Sequence, residues 1–210
     1  MIETGRIRIL VVDDHPFLRE GIAAVVNGQK DMILAGEARN GREALESFRH
    51  LRPDVTLMDI QMPGMSGIEA MQAIRAEFPT ARIVVLTAYR GDVQALRAFK
   101  AGAVGYLLKN MLRKELLDTI RTVHAGRRRI PDEIAMELGE HSLEDALSER
   151  EIEVLKMVAN GTSNKIIACK LALAEATVKS HLKNIFQKLG ANDRTHAVTI
   201  AIRRGYIDPE

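Results

Sequence analysis

The sequence predicts an α/β domain on a five-stranded parallel sheet, followed by an all-α domain of four short helices. Three observations carry this reading. Short, almost wholly apolar runs recur through the first half, as expected of strands covered on both faces. Segments with helical apolar spacing separate them, and such alternation reads as βαβ units because parallel neighbours need a crossover. From Ser148 onward the strand pattern stops and only amphipathic helical spacing remains.

In chain order the strands fall at 7–12, 32–38, 55–58, 82–86 and 104–108. Leu18, Ile22, Val25 and Val26 give the first helix its apolar face, and Ala70, Met71 and Ile74 do the same for the third. The fifth helix begins around Leu112, and the unit ends near Val123. In the second half, Ser148-Glu-Arg-Glu151 fits a capping box ahead of Ile152, Val154, Leu155 and Val158, and Asn160-Gly161 closes that helix. Further helices fall at about 164–171, at 175–189 closed by Gly190, and at 195–203 closed by Gly205. The intervening stretch is polar, carries Arg127-Arg-Arg129 and Pro131, and has room for one helix at 132–138. The expected organisation is residues 1–123 and 147–210 as domains, with 124–146 as the linker. The arginine triplet reads as a solvated helix end, favourable to the helix dipole.

Composition narrows the class. At 46% hydrophobic and 28% charged the chain is that of an ordinary globular protein, and its 210 residues suffice for a sizeable core. No apolar run approaches the roughly eighteen residues a membrane span needs, and the N-terminus lacks the order of a signal peptide. A lone cysteine, Cys169, precludes an internal disulfide and fits a reducing cytosol, so the expected location is cytoplasmic, with no membrane partner. Residues 148–210 carry a balance of +3 and residues 1–147 a balance of −1, which permits nucleic-acid binding by the C-terminal part without demonstrating it.

The third strand delivers one carboxylate, Asp59, to its tip, and the chain then breaks into Pro63, Gly64 and Gly67. In an open parallel sheet, ligands bind beyond the carboxyl ends of the strands. Asp13 and Asp14 follow strand one, Thr87 follows strand four and Lys109 follows strand five. Three carboxylates in one crevice repel each other, so a divalent cation is a natural resident. Mg2+ suits a few carboxylates, a backbone carbonyl, waters and phosphate oxygens. Lys109 adds a point charge for an anion and Thr87 a hydroxyl. Such an assembly is suited to phosphorylating a carboxylate, with Asp59 attacking in line. Taken singly, each residue has a plainer reading: an N-terminal acid pair ahead of Pro16, a turn aspartate, a surface lysine. Only the joint placement at strand ends points to chemistry.

Residues 7–123 resemble the receiver domain of two-component response regulators, a flavodoxin-like fold. The matching pieces are Val11-Val-Asp-Asp-His15, Met58-Asp-Ile-Gln-Met-Pro-Gly64, Leu86-Thr-Ala88 and Tyr106-Leu-Leu-Lys109. The resemblance implies that Asp59 accepts phosphate from a sensor histidine kinase. It implies that Asp14, Asp59 and the Gln61 backbone carbonyl bind Mg2+ directly, with Asp13 acting through water. Thr87 and Tyr106 match the switch pair, in which the hydroxyl turns to the phosphate and the ring swings inward after it. Two other phosphate-handling folds fit less well. A dinucleotide-binding sheet needs a glycine-rich turn where this chain has Asp-Asp-His-Pro. A haloacid-dehalogenase-like phosphatase needs a second acid where this chain has Gln61, so rapid turnover of small phosphoesters is not expected.

In the second half, the helix at 164–171, the turn Ala172-Leu-Ala174 and the helix at 175–189 form a helix-turn-helix pattern. Val178, Leu182, Ile185 and Leu189 share one face of the longer helix, while Lys179, Ser180, Lys183, Asn184 and Gln187 lie opposite. That arrangement suits a major groove, although a solvated helix face has the same pattern. Residues 147–207 resemble the LuxR-type helix-turn-helix, through Leu147-Ser-Glu-Arg-Glu151, Ser163-Asn-Lys165, Thr177-Val-Lys179, His181-Leu-Lys183-Asn184, Lys188-Leu-Gly190 and Arg194-Thr195. With the receiver this matches the NarL/FixJ response regulators. The likeness implies that Lys179, Ser180 and Lys183 reach base edges of a double-stranded DNA operator, while Asn164, Lys165, Thr177 and Asn184 touch phosphates. It implies a homodimer on DNA paired through Val198 and Ala201, RNA polymerase as a further partner, and a regulator rather than an enzyme.

Three departures stand out. Ala174 occupies the place of a serine cap, Cys169 a position often basic in relatives, and Asn110 follows the lysine where relatives often carry Asp, a change with no evident meaning. Cys169 is read as packing rather than a redox sensor. His15 and His181 are read as structural. The competing classes are a DNA-binding protein whose first domain is only a dimerisation scaffold, and an aspartyl-phosphate hydrolase of small molecules.

Overall fold

Runs of apolar residues with no polar side of their own must be covered above and below, and the central strands are, while the edge strand β2 is mostly half-buried. β1 (Ile7–Val12), β2 (Met32–Ala38), β3 (Val55–Asp59), β4 (Ile83–Thr87) and β5 (Gly105–Leu108) form one parallel sheet in the order β2-β1-β3-β4-β5. β3 and β4 are buried along their whole length. The computed structural model describes residues 5–88, 92–110, 113–130 and 147–207. The helix predicted at 132–138 lies outside the described residues.

Register decides what meets at the strand ends. Val12 pairs with Met58, Asp59 with Leu86, and Thr87 with Leu108. Asp13, Asp59, Thr87 and Lys109 therefore end in one row, beside the β1/β3 point where strand order reverses. β3 and β4 each run one residue further than predicted, so Asp59 and Thr87 are the last rungs of the ladder rather than the first residues beyond it.

The crossovers are α1 (Pro16–Asn27), α2 (Gly41–Leu51), α3 (Gly67–Glu77), α4 (Asp92–Lys100) and α5 (Arg113–His124). α1 starts with proline at its first position, where the missing N–H costs nothing. α2 is capped by Asn40, whose side chain accepts from the Glu43 N–H at 2.9 Å. α3 opens with a reciprocal Ser66/Glu69 capping box. One sheet face packs Ile9, Val11, Leu57, Val84 and Leu86 against Ile22, Val26, Ile120 and Val123.

The chain after α5 departs from the expected linker. The triplet lies beyond the helix end rather than on it. Gly126 (φ 81°) turns the backbone, and Arg129 pairs in parallel with Gly105. The Arg129 N–H donates to the Val104 carbonyl and the Tyr106 N–H donates to the Arg129 carbonyl, each at 3.0 Å. Arg129 thus lies on the open edge of β5 and covers backbone groups that would otherwise face solvent.

The remaining described helices are α6 (Glu149–Ala159), α7 (Asn164–Lys170), α8 (Glu175–Leu189) and α9 (Arg194–Arg204), a separate unit with its own core. Ser148 and Glu151 form the predicted capping box. Glu151 is only 4% exposed and also receives Lys188 Nζ at 2.8 Å, which ties the start of α6 to the end of α8. Gly190 (φ 63°) and Gly205 (φ 75°) end α8 and α9 in the left-handed region. Ala174 caps α8 without a side-chain hydrogen bond, as its sequence implies. Cys169 is exposed and does not pack, because it lies on the outer side of α7 away from buried Ile167 and Ala168. No helix among the described residues is long and apolar enough to cross a membrane.

Candidate metal centre and nucleic-acid interface

Asp59 ends a strand whose every residue is buried, and its side chain is 3% exposed. Its Oδ2 accepts from Lys109 Nζ at 2.7 Å and its Oδ1 accepts from the Gln61 N–H at 3.2 Å. Lys109 Nζ also lies 2.8 Å from Asp13 Oδ2, so one ammonium bridges the two buried acids. Thr87, 1% exposed, accepts from the Lys109 N–H through its carbonyl at 2.7 Å, which fixes the lysine's backbone to the end of β4.

The loop beyond Asp59 folds back tightly. The Gly67 N–H donates to the Ile60 carbonyl at 3.0 Å, and a β-carbon on Gly67 would stand 1.8 Å from the Asp59 carbonyl oxygen. Only glycine permits that approach.

Asp13 is held on every side. Its N–H donates to the Ala38 carbonyl at 3.1 Å, its Oδ1 accepts from the His15 N–H at 2.9 Å, and its carbonyl accepts from Arg19 Nη1 at 2.7 Å. Asp14 is freer, with 32% side-chain exposure and its Oδ1 2.7 Å from His15 Nδ1. His15, read as structural, thus stands at the mouth of the acid cluster.

The donors suit a hard cation. Asp13, Asp14, His15 and Asp59 each offer one atom within 4.8 Å of the others. Asp13 Oδ2 and Asp14 Oδ1 are buried without a directed hydrogen bond, although each lies near a nitrogen. Buried oxygens left incompletely satisfied beside like charges are what a divalent cation would relieve. Burial pushes the Asp59 carboxyl above its usual range, against the Lys109 hydrogen bond and with help from the Asp13 charge. Burial opposes the Lys109 charge, but the carboxylates of Asp13 and Asp59 beside it prevail and hold its pKa up.

The predicted set therefore gathers unevenly. Asp13, Asp59 and Lys109 are in contact, Thr87 is joined to them through the backbone, and Gln61 contributes its N–H. Tyr106 is fully buried on β5 with its ring 6.2 Å from that of Phe99 on α4. Arg19 escaped the sequence reading, and Gly67 entered it only as a chain breaker, without its close approach to Asp59. Gly67 had a signal in its place three residues beyond Gly64, while Arg19 had none beyond its position on a helix.

In the second unit, Val178, Leu182, Ile185 and Leu189 are the buried residues of α8, as predicted. Thr177, Lys179, Ser180, Lys183 and Asn184 are exposed on the same helix, and Lys165 is exposed on α7. Lys179 Nζ lies 3.0 Å from Glu175 Oε1 one turn earlier. Asn164 is half-buried and accepts from Arg194 Nη1 at 3.3 Å, which leaves its amide N–H groups for another acceptor. Val198 is half-buried, but Ala201 is completely buried in the core of its own unit. Ala201 therefore has no surface for a partner, a correction to its expected place in a dimer contact.

Residues 9–121 match the response regulator receiver domain family, and residues 145–201 match the luxR family of bacterial regulatory proteins. The chain is similar to the transcriptional regulatory protein YxjL of Bacillus subtilis, at 40% identity over 96% of this chain and 98% of that one. It is 38% identical to LiaR of the same organism, over 96% of this chain and 100% of LiaR. Among solved structures it is similar to the response regulator ChrA of a heme-sensing two-component system, with 37% identity, a TM-score of 0.57, and coverage of 97% and 100%.

Proposed function

The chain belongs to the two-component response regulators that carry a LuxR-type DNA-binding domain, and on that premise we propose that phosphorylation of Asp59 sets how its C-terminal helices engage DNA. The observation that carries this is Lys109, whose ammonium bridges Asp13 and Asp59 at the strand ends. A sensor histidine kinase supplies the phosphoryl group. The Asp59 carboxylate forms the new P–O bond as the P–N bond to the donor histidine breaks. Lys109 follows the growing negative charge, and Thr87 offers its hydroxyl to the product. Asp14, Asp59 and the Gln61 carbonyl would hold Mg2+, with Asp13 acting through water; when bound, the ion neutralises charge on the phosphoryl oxygens. Tyr106 reports the change from the neighbouring strand.

Downstream, Lys179, Ser180 and Lys183 read base edges, while Asn164, Lys165, Thr177 and Asn184 hold phosphates. Two copies pair on a two-fold site through the exposed part of Val198, in the cytoplasm, where RNA polymerase is the further partner.

Asp59→Asn is expected to abolish labelling by acetyl phosphate with Mg2+, and labelling that survives removes the acceptor. Lys179→Ala with Lys183→Ala is expected to erase preference among DNA sequences; unchanged selectivity refutes the groove assignment. Operator affinity with and without beryllofluoride tests the scaffold reading, which requires equal values.

A further inference from the structure

We propose that Arg19 is a positioning residue for the cation and phosphoryl site, acting through the main chain of Asp13. The inference rests on the acidic-pocket reading above. Arg19 stands in the first turns of α1 and its side chain is only 17% exposed. Nη1 donates to the Asp13 carbonyl at 2.7 Å and Nε donates to Glu37 Oε2 at 3.2 Å. Glu37 lies on β2 opposite Val11, two residues before Asp13. The guanidinium therefore spans from α1 to β2 with the Asp13–Asp14 peptide clamped beneath it.

That clamp has a consequence for Asp14. The N–H of Asp13 is fixed by Ala38 and its Oδ1 by His15, while Arg19 holds the Asp13 carbonyl, which belongs to the peptide leading into Asp14. A turn of that peptide would carry the Asp14 carboxylate away from Asp13 and Asp59. Among the described residues Asp14 is less firmly held, being a third exposed with its Oδ1 against His15. An exposed arginine–glutamate pair contributes little to anything. Arg19 differs because it is mostly buried and spends its best-placed donor on a loop carbonyl. Partners one layer outside a metal's ligands typically change its affinity by about 10- to 100-fold when removed.

The test is Mg2+ titration calorimetry on the full chain, at a temperature where circular dichroism shows each variant fully folded. Arg19→Met is expected to weaken Mg2+ binding by about tenfold or more. Arg19→Lys, which reaches one acceptor but not both, recovers part of the loss, and Glu37→Gln falls between. A lost clamp without lost folding leaves the metal-free melting temperature close to that of the unaltered chain. Equal Mg2+ affinity in Arg19→Met and the unaltered chain overturns the inference and leaves the pocket standing. Absence of Mg2+ binding by the unaltered chain overturns the pocket reading itself.

Discussion

The acidic pocket and the exposed face of α8 are both charged, yet they are held in opposite ways. In the pocket, Asp13 and Asp59 are at most 2% exposed, and backbone N–H groups and one bridging ammonium grip them. On α8, Lys179 is 64% exposed and its neighbour Glu175 is itself 47% exposed. The first arrangement suits a small, hard ligand that must be met by fixed atoms. The second suits a long polyanion that supplies its own order, since flexible lysines lose little by waiting in water.

Substitutions that probe rigidity should strike the pocket hardest. Gly67→Ala places a methyl against the Asp59 carbonyl, and because backbone meets backbone nothing cheap can move. A loss of about 4 kcal/mol in the first urea transition is expected, near the top of the range for single substitutions. Gly161→Ala has open space and only a left-handed φ of 70° to tolerate, so about 1 kcal/mol is expected there. Similar losses at the two glycines would mean the loop is not the rigid element described.

Next in size is the support beneath the exposed face. Ile185 is completely buried under α8, and Ile185→Ala is expected to cost about 3 kcal/mol in the second unit. Lys183→Ala on the opposite face should change stability by less than about 0.5 kcal/mol while costing about 1–3 kcal/mol of discrimination among DNA sequences. A large stability loss at Lys183 would move it from ligand contact to packing.

The two units should also answer acid differently. Burial raises Glu151, but the Lys188 and Ser148 hydrogen bonds prevail and hold it below its ordinary 4.5. A depressed acid binds fewer protons folded than unfolded, so its stabilisation is present above pH 4.5 and fades as pH falls through the lower folded value. Glu151→Gln is expected to cost about 2 kcal/mol at neutral pH and to flatten that acid limb. Asp59 runs the other way, because its folded pKa is raised and ionisation opposes folding as pH climbs through it. Asp59→Asn should therefore stabilise the chelated, metal-free protein at neutral pH and lose that advantage in acid. Thermal scans in chelator across pH check both signs.

Much of the fold was legible because burial on two faces leaves a signature that needs no partner. The apolar runs mark the strands to within a residue, and the 3.6-residue period picks out Val178, Leu182, Ile185 and Leu189. Short elements were less legible. At seven residues, α7 gives too few turns to orient Cys169, which turned outward. Ala201 is placed in a dimer contact only by the family likeness, and the packing of α9 buries it. The edge pairing of Arg129 is carried by backbone atoms, which any non-proline residue supplies, so no side-chain pattern announces it.

What the residues alone determined is the inventory and its place along the chain: five strands, acids, a hydroxyl and a lysine at their tips, and a helix with one oily and one basic side. These follow from local periodicity and from strand ends opening onto one edge. Only the tertiary structure decided that Lys109 bridges Asp13 to Asp59, that Arg19 clamps the peptide before Asp14, and that Ala201 belongs inside. The first depends on residues far apart in sequence, the second on how α1 packs back over the end of β1, and the third on which side of a helix the rest of the chain covers.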